Sequence, residues 1–265
     1  MEKRFDIPYS QHIQDHRRMD VFMPDKGNRT AVLFIHGGGW CKGARTQWHA
    51  VAEHFCKLGF VCASASYRLA PQFRYPAQVQ DVRLAMAYVL RSTRPWGFDA
   101  DKVAAVGSSA GGHLVAMLST IAPDDPLGTS PEIGDTDTRP AATVCYCPVT
   151  QVGSGELPET VGEAVGKLMG CPQDEAPDLY SEASPFERVS GDEPPFLFLH
   201  GDADGTVPLE HSTKMAERLV DKGAEARVEV LSGVDHGFGY GVSTDAQKAA
   251  IVEMETFLNQ VFGLG

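Results

Sequence analysis

Val103-Ala104-Ala105-Val106-Gly107-Ser108-Ser109-Ala110-Gly111-Gly112 passes from an apolar run through a tight bend into a second apolar stretch, and its reading decides the fold. The first four residues are uncharged and small or branched, as in a strand buried on both faces. Ala110–Ile121 carries almost no charge on any side, which predicts a buried helix. Glycines stand two before and two after Ser109. At so sharp a strand-to-helix turn they keep side chains from colliding with the neighbouring strand and helix, while the serine takes a strained backbone and exposes its hydroxyl. The helix then begins with unpaired N–H groups and the positive end of its dipole, which favour a negative charge formed beside the serine. A plain capping role is open to Ser108 and Ser109 alike.

Working outward, the runs Met19–Met23, Ala31–Ile35, Phe60–Ala65, Lys102–Val106, Ala142–Cys147, Phe196–Leu199 and Arg227–Leu231 read as strands. Helical periodicity occupies Trp48–Leu58, Ala77–Arg91, Leu209–Lys222 and Thr244–Phe262, with a short helix at Pro158–Met169. Strands separated by helix-length segments predict βαβ units. The fold class is therefore α/β, with a mostly parallel central sheet and helices on both faces. Reactive groups then belong on loops at the carboxyl ends of the strands. Ala122–Pro140 and Val149–Pro195 are irregular and rich in turn formers. We expect one domain over 1–265, with these insertions, near 122–140 and 149–195, roofing the site.

The 265 residues hold 23 Lys+Arg against 35 Asp+Glu, a net charge of −12. So acidic a chain disfavours phosphate-rich partners and anionic membranes, and the expectation is no nucleic acid and no membrane partner. Met1–Pro24 contains no continuous apolar core of a signal peptide, and no run of about 18 apolar residues occurs. The reading is a cytoplasmic protein; a secreted one whose signal had been removed would look the same. Six cysteines (Cys41, Cys56, Cys62, Cys145, Cys147 and Cys171) lack a framework spacing and read as free thiols. Cys145 and Cys147 share a strand face, but no CxxC or histidine pair accompanies them, so no zinc is expected.

His36-Gly37-Gly38-Gly39-Trp40 follows directly on the strand Ala31–Ile35. Three consecutive glycines are costly in conformational entropy unless the backbone must approach something closely, and a loop of N–H donors meets that requirement. Gly38 and Gly39 are expected to join Ala110 in an oxyanion hole, with Gly37 serving the turn, His36 tying the loop down and Trp40 assigned to substrate binding. Two more strand ends carry chemistry: His200-Gly201-Asp202-Ala203-Asp204-Gly205-Thr206-Val207-Pro208 and Ser232-Gly233-Val234-Asp235-His236-Gly237-Phe238. A serine hydroxyl becomes a useful nucleophile only when a base takes its proton, and imidazole titrates in the right range. His236 is the expected base. Asp204 is the expected acid, which fixes the tautomer and stabilises the imidazolium, with Asp202 the runner-up and Asp235 a loop carboxylate. A metal reading of His200, Asp202, Asp204 and His236 lacks a compact ligand pair and leaves the glycines unexplained, so neither metal nor cofactor is expected.

His36–Trp40, Ser66-Tyr67-Arg68-Leu69-Ala70-Pro71, Gly107–Gly112, Asp204–Pro208 and Asp235-His236-Gly237 together resemble the α/β-hydrolase esterases with an HGGG loop. The chain looks most like the acetyl-esterase and feruloyl-esterase-like branch, related to the hormone-sensitive-lipase group. That resemblance implies an α/β-hydrolase fold and cofactor-free hydrolysis of short-chain esters of a small molecule or carbohydrate. It makes Ser109 the nucleophile, Asp204 the acid and His236 the base, and Arg68 with Asp81 a structural pair beneath the site. Only 35 residues precede His36, so an N-terminal cap of the lipase type is expected to be missing. An amidase resembling kynurenine formamidase, or a small peptidase, would use the same groups on another carbonyl. A non-catalytic binder on the same fold is the alternative from another class.

Overall fold

The apolar runs join one eight-stranded sheet in the computed structural model, which describes residues 1–12, 16–153 and 157–264. Its strands are β1 (Glu2–Pro8), β2 (Arg18–Met23), β3 (Ala31–Ile35), β4 (Val61–Ala65), β5 (Val103–Ser108), β6 (Ala142–Tyr146), β7 (Phe196–Gly201) and β8 (Ala226–Leu231). They lie in the order β1-β2-β4-β3-β5-β6-β7-β8. From β4 to β8 every pairing is parallel; β1 and β2 add an antiparallel edge.

Helices α1 (His49–Lys57), α2 (Ala77–Arg91), α3 (Thr93–Trp96), α4 (Ala110–Thr120), α5 (Glu159–Met169), α6 (Pro177–Glu182), α7 (Glu210–Lys222) and α8 (Asp245–Phe262) complete the chain. Strand alternation divides the core in two. Ala31, Leu33, Ile35, Val103 and Ala105 face α2, α4 and α7, while Val32, Phe34, Ala104 and Val106 face α1 and α8. Every side chain of β3 and β5 is buried, as expected of central parallel strands. α8 opens on Thr244, whose hydroxyl accepts from the Gln247 amide.

Two expectations need correction. β1 escaped the pattern because it is an outer edge strand: six of its seven residues are exposed, Phe5 among them, so neither face alternates. The segment 122–140 contributes no residue to the cavity that holds Ser109 either. It lies along α2, where Arg83 donates to the Asp125 and Leu127 carbonyls, Arg91 to the Glu132 and Ile133 carbonyls, and Gln80 to the Thr129 carbonyl. Of 149–195, residues 154–156 lie outside the described residues.

Asp81 of α2 is fully buried and receives Arg17 Nε at 2.7 Å, the Arg68 backbone amide at 2.8 Å and Arg68 Nε at 2.9 Å. One carboxylate thus ties the lead-in to β2 and the loop after β4 to the same helix. Removing it strands two guanidinium groups. Asp81→Ala is expected to cost about 3–5 kcal/mol in urea-unfolding free energy, the usual penalty for breaking a buried ion pair from one side. A loss below about 1 kcal/mol would mean that the two arginines find other partners.

Candidate active site

Ser109 stands between β5 and α4 with φ +56° and ψ −120°, a left-handed backbone that side-chain-bearing residues rarely adopt. The flanking glycines explain how it is held. A Cβ on Gly107 would overlap the Gly111 carbonyl, and one on Gly111 would overlap the carbonyls of Ile35 and His36. The bend is therefore pressed against the end of β3, where the donor loop begins.

Ser109 Oγ lies 3.0 Å from His236 Nε2, and His236 Nδ1 lies 2.7 Å from Asp204 Oδ2. Asp204 Oδ1 accepts the Thr206 and Val207 amides, each at 2.8 Å, so the carboxylate is aimed by its own turn. The sheet brings these three residues together from the carboxyl ends of β5, β7 and β8. The runner-up does not join them: Asp202 Oδ1 accepts the Gly233 amide, while Asp235 is exposed and accepts the Gly205 and His236 amides.

Burial alone would raise the Asp204 pKa. Hydrogen bonds from His200, His236 and the Val207 amide outweigh it and hold the carboxyl well below the usual carboxylate range. Burial likewise works to lower the His236 pKa, but the bond to Asp204 and the neighbouring Cys147 outweigh it, and the ring is raised. The carboxylate fixes the proton on Nδ1 in the neutral ring, leaving Nε2 free to accept from Ser109.

Gly38 and Gly39 adopt φ +113° and +58° and Trp40 adopts +58°, a turn closed by the Cys41 and Lys42 amides on the Gly38 carbonyl. Among the described residues, the amides of Gly38, Gly39 and Ala110 have no protein acceptor, and all three residues line one cavity with Ser109 and His236. The Gly37 amide is spoken for: it donates to Tyr240 Oη at 2.6 Å. His36 stacks on Tyr67 at 4.3 Å and its Nδ1 lies 2.8 Å from the Gly37 carbonyl. Trp40 belongs to the cavity wall, but its side chain is almost wholly buried and its Nε1 donates to His113 Nδ1 at 3.1 Å. Burial lowers the His113 pKa to about 4, so the ring is neutral and its Nε2 is left to donate to the Ala183 carbonyl.

One feature escaped the sequence. Tyr240, which braces the donor loop from the far end of the chain, gives no signal beyond an aromatic residue four positions after His236. The wall supplied by α5, with Thr160, Val161, Ala164 and Lys167 on a cavity of about 510 Å³, lies within 149–195, the segment expected over the site; which of its residues face the cavity is set by packing. For metals, the one group of three suitable donors among the described residues is Cys147, Asp204 and His236, with ligand atoms within 4.8 Å. Two of the three are already hydrogen-bonded to each other.

The titration of His236 tests this electrostatic reading. By NMR of the imidazole, its pKa is expected above the ordinary value of about 6.5, because Asp204 favours the charged ring. Asp204→Asn removes that partner while burial persists, so the pKa should fall. An unchanged value would mean that the carboxylate does not govern the ring.

Comparison with known proteins agrees with the architecture. The profile of the BD-FAE family matches residues 19–219, and that of the dienelactone hydrolase family matches residues 180–262. Esterase LipC of Mycobacterium tuberculosis is 34% identical over 253 residues, covering 92% of this chain and 61% of the relative. Esterase LipQ of the same organism is 30% identical over 267 residues, covering 97% and 62%. The chain thus spans a little over three fifths of the length of these curated relatives. Among solved structures, a truncated carbohydrate esterase from gut microbiota superposes with a TM-score of 0.86 at 23% identity, covering 98% of this chain and 96% of the other. Thermogutta terrifontis esterase 2 phosphonylated by sarin superposes with a TM-score of 0.82 at 23% identity, covering 97% and 94%. The likeness to both is one of fold. Matched over residues 19–219, the chain belongs to the BD-FAE family and has the α/β-hydrolase fold.

Proposed function

We propose that the protein is a serine carboxylesterase that hydrolyses short-chain acyl esters, acetyl esters foremost, of small molecules or carbohydrates. The observation that carries this reading is the unbroken relay from Asp204 through His236 to Ser109, ending in a cavity where three backbone amides lack acceptors among the described residues. The names of the relatives LipC and LipQ, both esterases, support it.

The steps follow from the geometry. As Ser109 Oγ attacks the ester carbonyl carbon, His236 Nε2 takes its proton and the carbonyl π pair moves onto oxygen. The amides of Gly38, Gly39 and Ala110 donate to that oxyanion, assisted by the dipole of α4. The intermediate collapses, the alcohol leaves with the proton from the imidazolium, and an acyl-Ser109 ester remains. Water then attacks with His236 as base. The second intermediate releases the carboxylic acid and returns the proton to Ser109 Oγ. Asp204 stays ionised throughout and stabilises the imidazolium each time it forms.

The packing of the wall supports the short acyl length. A Cβ on Gly39 would stand 3.2 Å from Ala164, so α5 packs directly over the donor loop. A cavity of about 510 Å³ with α5 over the donor loop supports a compact acyl group.

Ser109→Ala is expected to abolish labelling by a fluorophosphonate and to lower kcat for 4-nitrophenyl acetate by roughly 10⁴-fold or more. Turnover retained in that variant would overturn the serine mechanism. Across acetyl, butyryl and octanoyl esters of 4-nitrophenol, kcat/KM should be highest for acetyl or butyryl. A preference for octanoyl would overturn the acyl-length reading.

A further inference from the structure

The charge of the cavity wall is opposite to that of the protein. Carboxylates outnumber ammonium and guanidinium groups 35 to 23 over the chain, yet among the described residues no Asp or Glu lines the cavity that holds Ser109, and Lys42 and Lys167 both do. The two lysines come from different elements. Lys42 follows the glycine loop, with its Cγ beside Gly38, whereas Lys167 stands in the last turn of α5. Both line the same cavity as Cys41, and each acts to lower the pKa of that thiol, which burial raises. Among the described residues neither ammonium forms an ion pair or side-chain hydrogen bond, although both are exposed and free to extend. Arg17, Arg45, Arg68, Arg139 and Arg188, by contrast, meet carboxylates.

Two unpaired ammonium groups on a cavity wall to which no described residue adds a carboxylate, in a chain of net charge −12, give a locally positive place within a globally repulsive field for anions. We propose that the preferred substrates are esters bearing a carboxylate a few bonds from the scissile carbonyl, held by Lys42 and Lys167. The proposal rests on the esterase reading and names its substrate class. Ammonium groups at the wall contact the carboxylate equally before and during reaction, so their effect belongs in KM rather than kcat.

The test uses matched charged and neutral esters. On the alcohol side, 4-acetoxybenzoate is compared with 4-acetoxybenzamide; on the acyl side, ethyl hydrogen adipate is compared with ethyl adipamate. The carboxylate is expected to raise kcat/KM about 5- to 10-fold in at least one pair, mainly through KM, consistent with two screened charges at several ångströms. The pair that responds identifies which half of the ester carries the anion. In Lys42→Gln/Lys167→Gln the anionic-to-neutral ratio should fall toward one or below, and in Lys42→Glu/Lys167→Glu it should invert.

Salt gives an independent sign. If the lysines govern, added sodium chloride lowers the ratio; if the overall negative charge governs, salt raises it, and that outcome overturns the proposal. Equal rates within both pairs also overturn it while leaving the esterase reading intact. Failure to hydrolyse any of the four esters, together with no labelling of Ser109, would overturn both.

Discussion

The first turn of α4 and the carboxyl end of β3 touch through bare backbone, and the site depends on that contact. Gly111 lies against the carbonyls of Ile35 and His36, and Gly107 lies against Gly111, with no room for a Cβ at either position. A chain forced through so narrow a gap leaves Ser109 at φ +56°, a conformation that costs on the order of 1–3 kcal/mol. The offset is local. All eleven residues of α4 are buried, and a single Leu or Met fully withdrawn from water contributes about 1.5–3 kcal/mol. The same contact sets the donor loop beside the serine, because His36 is both the residue that Gly111 touches and the start of the glycine run.

Histidines illustrate how environment, rather than residue type, assigns a part. His36 and His113 are held neutral by burial, each with its pKa lowered to about 4. A neutral ring can donate from one nitrogen and accept at the other, as His113 does between Ala183 and Trp40. His236 is also buried to a large extent, yet the Asp204 carboxylate reverses the direction of its shift. The two neutral rings serve as struts for the glycine loop, and only the ring backed by a carboxylate can gain a proton without abandoning a buried charge.

Much of this was legible in the sequence because the informative signals are local. Gly-x-Ser-x-Gly after an apolar strand, three glycines after another, and Asp204 and His236 after two more identify strand ends directly, and the periodicity of Ala77–Arg91 gives α2 without error. What escaped was contextual. β1 is recognised only through its pairing with β2, since its own residues face water. The course of 122–140 is set by Arg83 and Arg91, whose partners are carbonyls that any sequence would present. Trp40 illustrates the same limit: composition places an aromatic residue at the loop, but the buried acceptor on His113 that turns its indole inward is a tertiary fact.

The long-range bonds of the site also explain why sheet register matters for chemistry. Ser109 and His236 are 127 residues apart in sequence, and Gly37 and Tyr240 are 203 apart, so no local segment can assemble either pair. Their alignment comes from the rows in which Ser108 pairs with Tyr146, and Tyr146 with Leu199. A two-residue slip of one strand would keep its faces correct but move its loop by about 7 Å, far beyond a hydrogen bond. A one-residue slip would exchange Cys145 for Val144 and Tyr146 between the two cores, placing a Tyr where a Cys fits. Volume therefore guards against the single slip. The double slip is opposed by the distinct sizes along each face, Val144 before Tyr146 on β6, with Tyr146 set edge-on against Trp48. Trp48 also packs against Tyr240, whose hydroxyl receives the Gly37 amide, so the packing that fixes β6 in register is continuous with the contact that holds the donor loop.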